Sequence, residues 1–107
     1  MIKQGWIEEL KSLAQHLEGL VYPDDTRPQD IKQVVSLCEE GKFEEAGDRV
    51  NRLCDQLRMG YQSAREFAEA PPYDISEEKY RKMNDKANSF ERAHSLLYNN
   101  LLLKRRN

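Results

Sequence analysis

Apolar residues recur at intervals of three and four along nearly the whole chain, and no segment alternates convincingly in the manner of a strand. Trp6, Leu10, Leu13, Leu17 and Leu20 share one face of a helix predicted over residues 2–20, with Lys3, Glu8, Lys11, Gln15 and Glu18 on the others. The segment VYPDDTRP (21–28) breaks the pattern with two prolines and two aspartates and reads as a loop. A short helix over about 28–40 follows. Thr26 and Gln29 have capping-box spacing, Pro28 suits a first helical position, and Ile31, Val34, Val35 and Cys38 form the apolar face. Gly41 is placed to end it.

A long helix is expected from near Lys42 to about Ala70, its stripe running Phe43, Ala46, Val50, Leu53, Leu57, Tyr61, Ala64 and Phe67. Each interior glycine costs about 1 kcal/mol against alanine, so Gly47 and Gly60 need a reason; close approach is expected at Gly47 and a bend at Gly60. PPYDIS (71–76) stops this helix, and Ser76 is a good N-cap for the last one. Glu77 and Glu78 suit the dipole at its start, Lys104, Arg105 and Arg106 the dipole at its end, and Ile75 and Tyr80 have the spacing of a hydrophobic staple. Its stripe is Tyr80, Met83, Ala87, Phe90, His94, Leu97 and Leu101. The expected fold is all-α: an antiparallel helical bundle of three long helices and one short helix, in a single domain over residues 1–107.

The two cysteines, Cys38 and Cys54, bracket the second helical turn-around. Gly41 is the elbow of the hairpin, so in antiparallel helices the two sulfurs stand roughly 15 Å apart. That is too far for a disulfide within the chain or for a shared metal ion. Two reduced core thiols are expected, with a disulfide between chains as the alternative. LCEEGKFEEAGDRV resembles the turn of a tetratricopeptide-type helix hairpin through Gly41, Phe43 and Ala46. A single copy is visible, without the closing proline, whereas such repeats stack in threes or more. Small flagellar and type III secretion chaperones carry similar hairpins, and the resemblance implies a close helix pair.

Candidate chemistry is thin. The chain carries no GxSxG, P-loop, GxGxxG, HExxH or EF-hand pattern. Asp24 and Asp25 read as a turn or cap rather than an acid/base pair. Adjacent glutamates on a helix point about 100° apart and cannot clamp one ion. Glu91 and His94 have the Glu-x-x-His spacing of bundle metal sites, but it occurs once, and His94 reads as a core-edge residue. No enzyme activity, cofactor or metal is expected. No apolar run approaches a membrane span, and MIKQGWIEEL lacks the apolar core of a signal peptide, so a cytoplasmic protein is expected.

Charge changes the picture at the end of the chain. Residues 1–78 carry 9 basic and 17 acidic side chains, a balance of −8; residues 79–107 carry 8 and 2, a balance of +6. The bases of the last helix, with Tyr80 and Tyr98 among them, could meet phosphates, which gives a nucleic-acid-binding helical subunit as the alternative function. The chain's overall acidity and the lack of a base-reading motif favour a protein partner. In SLLYNNLLLKRRN, five leucines spread around most of the helix, so Leu96, Leu102 or Leu103 is expected to leave the core. Burial under the first helix, a homodimer contact and a groove for a partner helix are the three uses for them. The expected function is a small non-catalytic protein-binding module: a chaperone, an adaptor or an inhibitor of a larger machine. Tyr98, Leu102 and Leu103 are its expected anchors, and Arg81, Lys82 and Arg105 its steering charges.

Overall fold

The computed structural model describes residues 5–71 and 73–102. They form four α-helices: α1 (Gly5–Glu18), α2 (Arg27–Glu39), α3 (Phe43–Glu69) and α4 (Glu77–Leu97), the last continuing into one π-helical turn, Tyr98–Leu102. No strand occurs among the described residues. The all-α class follows directly from the three-four periodicity.

The ends of the helices have identifiable causes. At the end of α2, Gly41 adopts φ 80°, a left-handed conformation that glycine takes without Cβ strain. The Lys42 N–H then donates to Leu37 O at 2.8 Å and the Gly41 N–H to Cys38 O at 3.0 Å, which closes a Schellman motif. At the start of α4, Ser76 Oγ accepts from the Lys79 N–H at 3.1 Å, as its cap position predicts. At α2 the expected capping box does not form, and Thr26 makes no side-chain cap bond. Asp25 takes over: its Oδ1 accepts from the Arg27 N–H at 3.0 Å, and its carboxylate is also bound by the Arg27 guanidinium, through Nε at 3.0 Å and Nη2 at 2.5 Å.

Pairs between helices fix their directions. Lys11–Glu39 and Glu18–Lys32 link α1 to α2, one residue number rising as the other falls. Arg49–Gln33 and Arg27–Gln56 do the same for α2 and α3, Arg65–Glu91 and Tyr61–His94 for α3 and α4, and Glu9–Arg92 and His16–Asp85 for α1 and α4. Every adjacent pair is therefore antiparallel. α1 packs along α2 and α4, and α3 along α2 and α4, while across the diagonal Arg27 of α2 reaches the Phe90 ring of α4 through its side chain. The bundle is a four-cornered ring.

The helices are unequal. α1 and α2 have 14 and 13 residues, whereas α3 and α4 have 27 and 21. The molecule is 49 Å long and 24 Å across. The α1–α2 hairpin covers only one end of the longer α3–α4 hairpin. The core lies at that end: Leu10, Leu17, Ile31, Val34, Val50, Leu57, Phe90 and Leu97 are fully buried. Fully burying each contributes about 1.5–3 kcal/mol before the entropy of ordering. Beyond the reach of α1, the expected stripe of α4 opens, and Met83 is half-buried and Tyr80 exposed.

Two sequence expectations change in detail. Gly60 is a site of close approach rather than of a bend: an added Cβ there would lie 2.5 Å from Arg27 Nη1 and 3.1 Å from Phe90 Cδ2, and α3 runs through it without interruption, while Gly47 is buried. Of the leucines expected to leave the core, Leu96 and Leu102 do not, and Leu103 lies outside the described residues. Leu96, Leu97 and Leu101 are buried, and Leu102 is half-buried against them. The π turn is the reason. Its i→i+5 closure sets Leu101 over Leu96 and Leu102 over Leu97, so two adjacent pairs share one side. An α-helix would keep Leu101 near Leu97, four residues earlier, but would rotate Leu102 away.

Candidate functional site

The residues expected to bind a partner do not form one surface. Tyr98 and Leu102 are half-buried and pack on the core, Tyr98 stacking on the His94 ring at 6.0 Å. Arg81 and Lys82 lie at the other end of α4, roughly 24 Å or more away along the helix. Both are exposed, Arg81 paired with Glu77 at 2.7 Å and Lys82 with Glu78 at 3.4 Å. Leu103 and Arg105, with Lys104 and Arg106, lie outside the described residues.

Exposed apolar side chains gather where the short hairpin stops. Tyr22 is 78% exposed, Met59 64% and Tyr73 56%. Tyr22, from the α1–α2 loop, forms one wall of an open cleft of about 740 Å³ together with Leu20 and Val21. Phe67 from α3 and Tyr73 from the α3–α4 connection form the second wall, their rings edge to face at 6.1 Å. The third wall is α4, which presents Lys79, Lys82, Met83 and Lys86. Intervals of three and four place these four on one stripe. A second, smaller cleft of about 340 Å³ adjoins the first through Phe67, Met83 and Lys86, and extends the surface to Met59 and Gly60.

The three lysines differ in their surroundings. Lys79 donates to the Tyr73 hydroxyl at 2.8 Å and stands 5.4 Å and 5.2 Å from the Phe67 and Tyr73 ring centres. Among the described residues Lys82 is held only by exposed Glu78. Lys86 is half-buried, and its ammonium makes no hydrogen bond or ion pair among the described residues. Burial and the nearby Arg27 charge push its pKa down, against the pull of Asp25. Arg27 itself is engaged by Asp25 and lies 4.4 Å above the Phe90 ring.

Elsewhere the chemistry is self-contained. Cys38 and Cys54 are free and buried, and burial pushes both thiols up to about 11. Glu91 is bound by the Arg65 guanidinium at 2.7 and 2.9 Å rather than shared with His94. His94 sits between Tyr61 and Tyr98, and burial lowers its pKa. Among the described residues no group of three or more His, Cys, Asp or Glu could hold a metal ion, and no helix is long and apolar enough to cross a membrane. A groove between α2 and α3, of about 590 Å³, mixes Asp30, Glu45 and Asp48 with Arg49 and Arg52. It carries three acidic and two basic side chains, with Arg49 donating to Gln33. In the tetratricopeptide-like turn, Ala46 is buried but Phe43 is 38% exposed, so the aromatic is not a knob between the helices.

In the sequence the bases of α4 read as candidate phosphate contacts and Met83 as part of the apolar stripe, while Tyr22, Met59 and Tyr73 carried no signal. Their exposure depends on where α1 and α2 end relative to α3 and α4. The chain matches no protein-family model, no curated protein and no solved structure.

Proposed function

We propose that this chain is a small non-catalytic protein-binding module, acting as a chaperone, an adaptor or an inhibitor of a larger protein machine. Its docking surface is the aromatic and basic cleft at the open end of the α3–α4 hairpin. The observation that carries this reading is the collection of Tyr22, Met59 and Tyr73, with half-buried Phe67 and Met83, at one end of a bundle whose other apolar stripes are largely buried. A contiguous apolar patch of this kind marks an interaction surface, and tyrosine and methionine suit one. A second copy docking symmetrically through the same cleft would set like-charged lysine stripes face to face, so the partner is a different protein.

The lysine stripe beside aromatic rings also supports nucleic-acid binding. Glu77 and Glu78 weigh against it, because they neutralise Arg81 and Lys82 and add negative charge at the rim.

Affinity capture from nuclease-treated lysate of the source cell tests the reading, with the intact protein set against a Met59→Asp/Tyr73→Asp variant. A photo-crosslinking residue at position 22 or 73, and at position 49 in the α2–α3 groove, maps the contact. One protein crosslinked from 22 and 73, and lost in the double variant, supports the module. Capture unaffected by the double variant, or crosslinks from 49 alone, removes the cleft. Binding abolished by nuclease transfers the function to nucleic acid.

A further inference from the structure

The cleft selects its occupant by charge as well as by apolarity. Three lysines and one glutamate line it, in a chain whose net charge is −2. Lys79, Lys82 and Lys86 span about 10 Å of α4, one and then a second helical turn. Met83 lies within the same stripe, opposite Phe67 and at the junction of the two clefts. The surface thus alternates cation and apolar contact with a helical period.

The deepest cation is the least satisfied. Lys79 is committed to Tyr73, and Lys82 has Glu78, but Lys86 is half-buried beside Arg27 with no hydrogen bond or ion pair among the described residues. A charge held in that position without a partner is unfavourable for the isolated protein. A carboxylate delivered into the junction would relieve it. The rim favours separated acidic groups over a continuous polyanion, since Glu78 lines the cleft and Asp74 and Glu77, each next in sequence to a lining residue, are exposed.

We propose that the cleft receives an acidic amphipathic helix of a partner protein, with apolar side chains between Phe67 and Met83 and carboxylates on Lys86 and Lys82. This rests on the protein-binding reading and specifies the partner's chemistry. Glutamates three or four residues apart on the incoming helix match the lysine spacing. Its leucine or phenylalanine residues meet Met83, whose flexible thioether adapts to different shapes.

Fluorescence anisotropy with four labelled probes tests it: a leucine-striped helical peptide with glutamates at positions i, i+4 and i+7, its glutamine and lysine counterparts, and a single-stranded oligonucleotide. Each variant is first checked by circular dichroism and thermal melting. The glutamate peptide is expected to bind saturably, and the glutamine and lysine peptides more weakly. Lys86→Gln is expected to weaken binding of the glutamate peptide about tenfold, while Lys86→Arg retains it. The same Lys86→Gln change leaves the melting temperature equal or higher, because it removes an unpaired, half-buried charge. A merely structural lysine would not give that opposition of effects. Met83→Asp is expected to abolish binding without unfolding the protein.

Equal binding of the glutamate and glutamine peptides overturns the proposal, as does an affinity unchanged by Lys86→Gln. Binding of the oligonucleotide in place of the peptide overturns it in favour of nucleic acid. If no peptide binds, the acidic-helix proposal fails alone, since crosslinking from positions 22 and 73 still decides whether the cleft meets a protein.

Discussion

The Arg27 guanidinium lies 4.4 Å above the ring of Phe90, in space that the missing side chain of Gly60 leaves open. Three elements meet there: the first turn of α2, the middle of α3 and the middle of α4. Arg27 Nη1 also donates to the Gln56 carbonyl at 3.4 Å, so the arginine ties the short hairpin to α3.

Gly60→Ala should therefore destabilise the protein. On helix propensity alone alanine gains about 1 kcal/mol. Its Cβ, however, would stand 2.5 Å from Arg27 Nη1 and 3.1–3.2 Å from the Phe90 ring edge. Arg27 is anchored by Asp25, and Phe90 is fully buried, so neither yields freely. Overpacking of this kind costs about 1–3 kcal/mol. The expected net loss is about 1 kcal/mol, or roughly 4–8 °C in Tm. A rise in Tm on thermal melting would show that the arginine moves aside without cost.

The Asp25–Arg27 pair gives stability a specific acid dependence. Hydrogen bonds from Arg27 hold the Asp25 carboxyl below its ordinary value of 3.8, against partial burial. The folded state thus prefers the carboxylate more than the unfolded state does. That contribution is fully present above the ordinary value and is lost as pH falls through the lower, folded one. Asp25→Asn is expected to cost about 2 kcal/mol near neutral pH, and the difference from wild type should shrink toward about pH 2. Urea unfolding of both proteins at the two extremes checks this. A difference independent of pH would mean that the carboxylate charge contributes nothing.

The cysteines should be chemically silent until the protein opens. With both thiols pushed up to about 11 by burial, only about one in a thousand is ionised near pH 8. A thiol-specific disulfide reagent is expected to react slowly with the native protein and rapidly, with two equivalents, in denaturant. Fast native labelling of either cysteine would place it on an accessible surface and revive a disulfide between chains.

The four-helix plan was legible because each helix carries a long apolar stripe and because Gly41 and Ser76 mark ends by backbone chemistry. Helix lengths were less legible. Leu20 continues the stripe of α1, yet the helix stops at Glu18, and Gly19 and Leu20 turn back with bonds to His16 and Leu17. That early stop exposes the far end of α4 and creates the cleft, so a small difference at one boundary decides which apolar residues are core and which are surface. Leu102 was expected outside the core for a related reason. Counting at 100° per residue assumes an α-helix, and a single π turn changes the register of everything after it.

The π turn makes the last prediction. A π turn is an α-helix carrying one extra residue. In Tyr98–Leu102 the extra residue can be assigned to Asn99, which is exposed, while Asn100 donates its Nδ2 to the Leu96 carbonyl at 2.8 Å. Deleting Asn99 would convert the i, i+5 relations of Leu96 with Leu101 and of Leu97 with Leu102 into i, i+4 relations. An α-helix already places such pairs on one face, so the same leucines stay inward. The deletion is expected to change stability by less than about 1 kcal/mol, whereas Leu101→Ala, at a buried position, should cost about 2–5 kcal/mol. Deleting buried Leu101 itself should be as damaging as the alanine change or worse. Thermal melts of the three variants separate the alternatives. If loss of Asn99 proves as severe as loss of Leu101, the wide turn is itself required for packing against α3, and the register argument for the leucines fails.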